Sequence, residues 1–296
     1  MFAAVRPTTC FGAAIGLLGA LLLSTAAPSG AEASETLDRI SERGSINIGY
    51  REDRPPMSFV NPEGKVTGYS IELCNAIAGA IKATLGRQDL ATTFVPVTAE
   101  NRFDAIVNGE IDILCGATTK TISRQAKVDF TDLTFVTGAT LMSLADSPVP
   151  GIRALGDKKV AAVSGTTTIE TLQMRIKQSG TKATIVPVET AEAGVNAVIK
   201  GEVAAFAADQ VVAIGLVITQ TSGTRFAIAN ELFSFEPFAL AVQRNDADFR
   251  LIANSVIAAL NNTGDITPIY QRWFSEFGDD VPDLIRALYV LMSTPE

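Results

Sequence analysis

Two segments of this chain, one in each half, end a short apolar strand in a glycine and a run of hydroxyls just before a helix. The first is Asp112-Ile-Leu-Cys-Gly-Ala-Thr-Thr-Lys-Thr-Ile-Ser-Arg124. Here an apolar strand, Ile111 to Cys115, meets Gly116 and then Thr118, Thr119, Thr121 and Ser123, with Arg124 in what reads as the first turn of a helix. The second is Val160-Ala-Ala-Val-Ser-Gly-Thr-Thr-Thr168, ahead of a helix over Ile169 to Lys177. Strands that feed helices in this way build a mostly parallel, helix-covered sheet. Free backbone N–H groups and the helix dipole at such junctions favour an anion. The hydroxyls add donors, and Arg124 adds a planar fork suited to a carboxylate. Either segment alone also fits an ordinary hydroxyl-capped helix. Together they point to two similar α/β domains that clasp a ligand between them.

Length agrees with two domains, since 296 residues exceed the usual single-domain size. The net charge of −8 argues against a nucleic-acid partner, which would need a basic face. At the N-terminus, Arg6 precedes an apolar run from Ile15 to Leu23, and Ala31-Glu-Ala33 fits a small-x-small cleavage site. Residues 1–33 are therefore predicted to be a cleavable signal peptide, cut after Ala33 or alternatively after Ala31, and the mature chain to be periplasmic. The apolar run is shorter than the ~20 residues that span a bilayer. Cys10 precedes that run, which leaves Cys74 and Cys115 in the mature chain. A disulfide and a pair of buried free thiols both remain open for them. With no histidine and no metal-ligand spacing, neither a metal nor a cofactor is expected.

Periodicity and breakers organise the rest. Thr36 to Gly44 reads as a short helix, Ser45 to Arg51 as a strand, and Met57–Val60 with Val66–Tyr69 as a hairpin turned by Asn61-Pro-Glu-Gly64. Ser70 is expected to cap a helix to about Leu85, with Ile71, Cys74, Ile77, Ala78 and Ile81 on one face. Thr92–Val97 (strand), Glu100–Asn108 (helix) and Ile111–Cys115 (strand) follow, and Val136 to Ser143 is extended. A second β-α-β series starts at Lys159 and includes Thr184–Val188, Ala191–Lys200 and Ala204–Ala208; Phe235–Gln243 is extended and Asp246–Thr263 a long helix.

In order and without large gaps, residues 35 to 278 resemble the bacterial extracellular solute-binding proteins of family 3, which bind amino acids. The resemblance rests on Gly49-Tyr-Arg-Glu52, Gly68-Tyr-Ser-Ile-Glu-Leu-Cys-Asn-Ala-Ile77, Asn101-Arg102, Asn108-Gly-Glu-Ile-Asp112, Cys115-Gly-Ala-Thr-Thr119, Arg124-Gln125, Ser164-Gly-Thr-Thr167 and Ala205-Phe-Ala-Ala-Asp209. It implies a two-lobed periplasmic-binding-protein-like fold of type II: two β-α-β lobes joined by a two-strand hinge near Thr137–Leu141 and Ser234–Leu240. The expected division is 34–138 and 236–278 for the first lobe, 139–235 for the second, and 279–296 as a C-terminal extension. In that extension Leu284, Ile285, Leu288, Tyr289 and Leu291 form an amphipathic stripe.

The resemblance also implies a site. An α-amino acid carries a carboxylate and an ammonium, so its binder needs a cation and an anion facing one cleft. Arg124, Thr119 and the Thr167 backbone N–H match the family's α-carboxylate clamp, and Asp209 with the Ala117 carbonyl its ammonium partners. Arg51 and Arg102 match positions that hold a side-chain carboxylate in the members that bind acidic amino acids. Those members carry a hydroxyl where this chain has Ala99 and Ala117, and a histidine at Ala191. The implied function is a monomeric, non-catalytic transport component that binds glutamate or aspartate, closes, and docks on an inner-membrane ABC permease. A dehydratase-like enzyme of the same fold, a sensing domain and a binder of polar neutral amino acids are the competing readings; the missing histidine weighs against nucleophile–base catalysis.

Overall fold

A computed structural model of the chain describes residue 4 and residues 34–220, 223–278 and 280–295. The expected signal segment, its cleavage sites and Cys10 lie outside the described residues. From Ala33 onward the chain forms one compact unit.

The first lobe begins with α1 (Glu35–Arg43). Ser34 caps it by accepting the Leu37 N–H at 3.1 Å, and Gly44 ends it in the left-handed region at φ 75°. Next come β1 (Ser45–Tyr50), the small antiparallel sheet of β2 (Asp53–Arg54), β3 (Ser58–Val60) and β4 (Val66–Thr67), and α2 (Tyr69–Thr84). Ser70 does not cap α2. Gly68 stands at the cap, and the Ser70 hydroxyl donates instead to the Gly116 carbonyl at 3.2 Å, tying the helix to the strand end it covers. Then follow β5 (Ala91–Pro96), α3 (Arg102–Val107), β6 (Ile113–Cys115), α4 (Ile122–Gln125) and the long β7 (Asp129–Thr137).

The second lobe contains β8 (Ala139–Leu144), β9 (Lys159–Val163), α5 (Thr167–Ser179), β10 (Thr184–Val188), α6 (Ala191–Ile199), β11 (Ala205–Asp209), α7 (Gln210–Gln220) and β12 (Phe226–Ile228). The chain then returns to the first lobe through β13 (Glu236–Val242), α8 (Ala247–Thr263) and α9 (Ile266–Phe274), and ends in α10 (Asp283–Leu291).

The two large sheets share one plan. Their strand orders are β5-β1-β6-β13-β7 and β10-β9-β11-β8-β12, each with three parallel strands followed by an antiparallel one. This is the mixed α/β, two-lobed arrangement expected. The chain crosses between the sheets at Gly138 and again between β12 and β13. These crossings touch: a Cβ at Gly138 would sit 2.5 Å from the Ser234 carbonyl oxygen, so only glycine lets them run this close.

Three devices stiffen the first lobe under the site. Cys74 on α2 and Cys115 at the end of β6 form a disulfide, which decides between the two open states of this pair. Asp112, fully buried, accepts from Arg39, Arg43 and the Asn47 N–H, joining α1 and β1 to the start of β6. Asp246 caps α8 through the Phe249 N–H and also accepts from Ser34 and the Thr36 N–H. Around Phe135, rings of Phe274 (5.0 Å between centroids) and Tyr270 stack, and Tyr69 meets them edge-on. Of the C-terminal stripe, Ile285, Leu288 and Tyr289 are buried and Leu284 and Leu291 exposed. Because the Tyr69 hydroxyl donates to the Thr134 carbonyl, Tyr289 donates to Tyr69 across their 3.2 Å contact. Among the described residues, no helix is long and apolar enough to cross a membrane.

Candidate functional site

The strand-to-helix junctions of both sheets face each other where the lobes meet. Arg51 follows β1, Arg54 ends β2, Arg102 opens α3, the β6–α4 loop carries Ala117 and Thr119, and Arg124 stands on α4. Opposite them stand Gly165 before α5, Thr167 at its first position, Ala191 at the start of α6, and Asp209 at the end of β11.

Hydrogen bonds bridge the lobes at three places in this cluster of described residues. Arg102 Nη2 donates to the Gly165 carbonyl at 3.0 Å. Gly165 holds φ 69°, a conformation that suits glycine, and so turns that carbonyl toward α3. The Ala191 N–H donates to Asp53 Oδ2 at 2.7 Å. The hydroxyls of Thr119 (2.5 Å) and Thr167 (2.8 Å) both donate to Glu236 Oε2, whose other oxygen accepts from Ser234 at 2.6 Å. Glu236 is buried on the second crossing strand, and the Ala139 N–H from the first crossing donates to Ser234. One carboxylate thus gathers both lobes and both crossings.

The arginines are crowded and dry. Arg51, Arg54 and Arg102 are buried and Arg124 half-buried. Arg124 Nη1 donates to the Thr119 carbonyl at 2.8 Å, and the Phe103 ring lies 4.8 Å from the Arg102 guanidinium and 5.3 Å from that of Arg124. Burial, then the neighbouring Arg54, pushes Arg51 down to about 10 despite Asp53. Burial, followed by Arg124, Arg51 and Arg54, pulls Arg102 well below the ordinary arginine range. A guanidinium keeps its charge at neutral pH. Burial raises Asp53, but Arg54, Arg51 and the Ala191 N–H outweigh it and hold that carboxyl below its usual range. Asp209 goes the other way: burial and the nearby Glu236 push it up to about 7, against the pull of Arg54, Arg124 and Arg102.

Two side-chain atoms in this cluster are buried without a partner, Arg102 Nε and Asp209 Oδ1. The site therefore has one unmet N–H donor and one unmet carboxylate acceptor, the pair that a zwitterion satisfies. Thr167 begins α5, and its neighbour Thr166 does not cap the helix, turning its hydroxyl to the Val163 carbonyl at 2.6 Å instead. The helix dipole there adds to the positive side of the site.

Every residue singled out from the sequence (Arg51, Arg102, Ala117, Thr119, Arg124, Thr167 and Asp209) lies on these junctions. Sequence reasoning did not find Asp53, Arg54, Phe103 or Glu236. Asp53 and Arg54 directly follow the Arg51 motif, and their charges were the available signal; Glu236 gave none, because its partners lie 117 and 69 residues away.

The sequence profile of the bacterial extracellular solute-binding proteins, family 3, matches residues 46–276. The glutamate/aspartate import solute-binding protein of Escherichia coli (strain K12) is 28% identical over 269 residues, covering 91% of this chain and 88% of that one. An ABC transporter glutamine-binding protein of Bacillus subtilis (strain 168) is 26% identical, over 89% of this chain and 96% of that one. Among solved structures, an ancestral amino-acid-binding protein described as a precursor of cyclohexadienyl dehydratase superposes with a TM-score of 0.71 at 27% identity, over 81% of this chain and 99% of that one.

Proposed function

The chain belongs to the bacterial extracellular solute-binding proteins, family 3, and from that premise we propose that it is a periplasmic protein that binds acidic amino acids, glutamate or aspartate, and delivers them unchanged. It is the substrate-binding component of an amino-acid ABC transporter, with an amino-acid ligand and a membrane permease as partners. The observation that carries the acidic reading is the unmet Arg102 Nε among buried guanidiniums, a second cationic donor beside Arg124, while the unmet Asp209 Oδ1 suits the ammonium of any amino acid.

Asp209 takes the α-ammonium together with the Ala117 carbonyl. Arg124 and the α5 N-terminus at Thr167 take the α-carboxylate, with Thr119 beside them. Arg102 and Arg51 supply positive charge for a side-chain carboxylate. Each charge-assisted hydrogen bond contributes ~1.5–3 kcal/mol, and several together reach micromolar affinity after association costs. With an ammonium beside Asp209 to keep it ionised, four guanidiniums (Arg51, Arg54, Arg102, Arg124) face three carboxylates (Asp53, Asp209, Glu236), leaving one positive charge in excess. Glutamate and aspartate, with net charge −1, neutralise that excess; glutamine leaves it standing and arginine doubles it.

Ligand contact from both lobes favours the closed form, because ligand shifts the equilibrium only by its differential affinity. Calorimetry with glutamate, aspartate, glutamine and asparagine tests the reading. The acids are expected to bind far more tightly than the amides, and each ligand to be recovered intact after incubation. Equal affinity for acids and amides overturns the acidic assignment, and conversion of the ligand overturns the non-catalytic one.

A further inference from the structure

Asp53 faces two guanidiniums at once. Its Oδ1 accepts from Arg51 Nη2 and its Oδ2 from Arg54 Nη1, each at 3.0 Å, while the Ala191 N–H of the opposite lobe donates to the same Oδ2. Its side chain is only 13% exposed, and those of Arg51 and Arg54 are 6% and 7% exposed. A carboxylate needed only to anchor an arginine would leave no surplus; this triad keeps one positive charge. That surplus is felt at the rest of the site, since Arg51 and Arg54 act electrostatically on Arg102, and Arg54 on Asp209. The remaining acids near the cluster, Glu52 and Glu170, are exposed and solvated, so they trim the buried charge little.

Resting on the acidic-amino-acid reading above, we propose that Asp53 is a specificity-determining residue, an internal carboxylate that cancels one guanidinium and sets the closed site to a single excess positive charge. The site then selects ligands by net charge, and −1 is the value it neutralises. The Ala191 N–H couples this setting to closure, because Asp53 meets α6 only when the lobes are together. The backbone of α6 thus reaches the first lobe directly.

Three variants and one affinity ratio, glutamate over glutamine by calorimetry, test this. Asp53→Asn keeps the shape and an acceptor for Ala191 but removes the negative charge. It is expected to raise the ratio by about tenfold or more, the effect of one unit charge acting over a few ångströms at a protein-like dielectric. Arg51→Gln is expected to lower the ratio by a similar factor. The double variant Arg51→Gln/Asp53→Asn removes one charge of each sign and is expected to return the ratio to within about threefold of the original chain. A purely structural Asp53 would weaken both ligands together and leave the ratio unmoved, which overturns the proposal. So does a double variant as poor as Arg51→Gln alone, since the Arg51 fork itself, and not the net charge, would then set the ratio. If Asp53→Asn fails to fold, with two guanidiniums left short of a partner, the charge-conserving double variant against Arg51→Gln still decides. The ratio in the unaltered chain tests the acidic reading, and the shifts between variants test Asp53, so the two fail separately.

Discussion

The two lobes are built on one strand plan and equipped in opposite ways. The first carries all four arginines of the site, and beneath them a disulfide and the buried Asp112 cluster. The second offers the site short or fixed groups: the Gly165 carbonyl, the Ala191 N–H, the α5 N-terminus and the Asp209 carboxyl. Long flexible cations need a stiff base, because each ordered arginine loses rotamer entropy of about 2 kcal/mol. Backbone dipoles need no such support. The difference shows how a cleft divides its work: one lobe holds charge ready, and the other completes the hydrogen bonds on arrival.

That division breaks most visibly at Asp112. Its side chain is fully buried between Arg39 and Arg43, and burial raises its pKa even with those partners present. Asp112→Ala removes the buried carboxylate that ties Arg39 and Arg43 to β6 and leaves the Asn47 N–H unmatched, and it is expected to cost ~3–5 kcal/mol of stability. Chemical denaturation of the mature chain measures it. A loss below 1 kcal/mol would mean that the first lobe is not the stiff platform described here.

Next in size is the shared clamp. Arg124→Ala removes a group from the first lobe and Asp209→Ala one from the second, and both are expected to weaken every α-amino acid together by ~2–4 kcal/mol, because each leaves a ligand charge unpaired in a dry site. Calorimetry across the four-ligand panel checks it. A loss confined to acidic ligands would reassign Arg124 to the side chain.

Much of this arrangement was legible in the sequence. Glycines stopped α1 at Gly44, α3 near Gly109 and α6 at Gly201, and the 3.6-residue period on Ile71, Cys74, Ile77 and Ile81 marked α2. Gln210 to Gln220 was not read as a helix, since Val211-Val-Ala-Ile-Gly-Leu-Val-Ile218 is apolar all round and has no period to detect. β7 was missed over Asp129–Phe135, where polar and apolar residues mix without clean alternation. The motif residues of the site could be placed because each sits on a strand-to-helix junction. Asp53 and Glu236 could not, because their roles exist only once the lobes meet: Asp53 bonds a group 138 residues away.

A smaller effect follows from Asp209 and pH. In the empty site its carboxyl is raised to about 7, while a ligand ammonium beside it lowers that value. The free form therefore holds a proton that the bound form releases, so affinity is full above pH 7 and falls as pH drops through it. The expected loss approaches tenfold per pH unit below 7, until the lower pKa of the bound form is reached. Calorimetry between pH 5.5 and 8 measures it, and Asp209→Asn is expected to flatten the profile. A flat profile in the unaltered chain would mean that the ammonium is met elsewhere.

The smallest effect isolates the second lobe. Thr190 caps α6 by accepting the Ala193 N–H at 3.1 Å, while the adjacent Ala191 N–H goes across the cleft to Asp53. The first turn of α6 thus divides its free donors between its own cap and the opposite lobe. Thr190→Ala removes the cap alone and is expected to cost ~1 kcal/mol of stability. Affinity is expected to change by no more than about twofold, since Asp53 still holds the Ala191 N–H and no ligand group depends on the hydroxyl. Denaturation and calorimetry on one preparation give both numbers. If affinity fell in step with stability, the orientation of α6 would belong to the binding machinery, and the second lobe would need the same stiffness as the first.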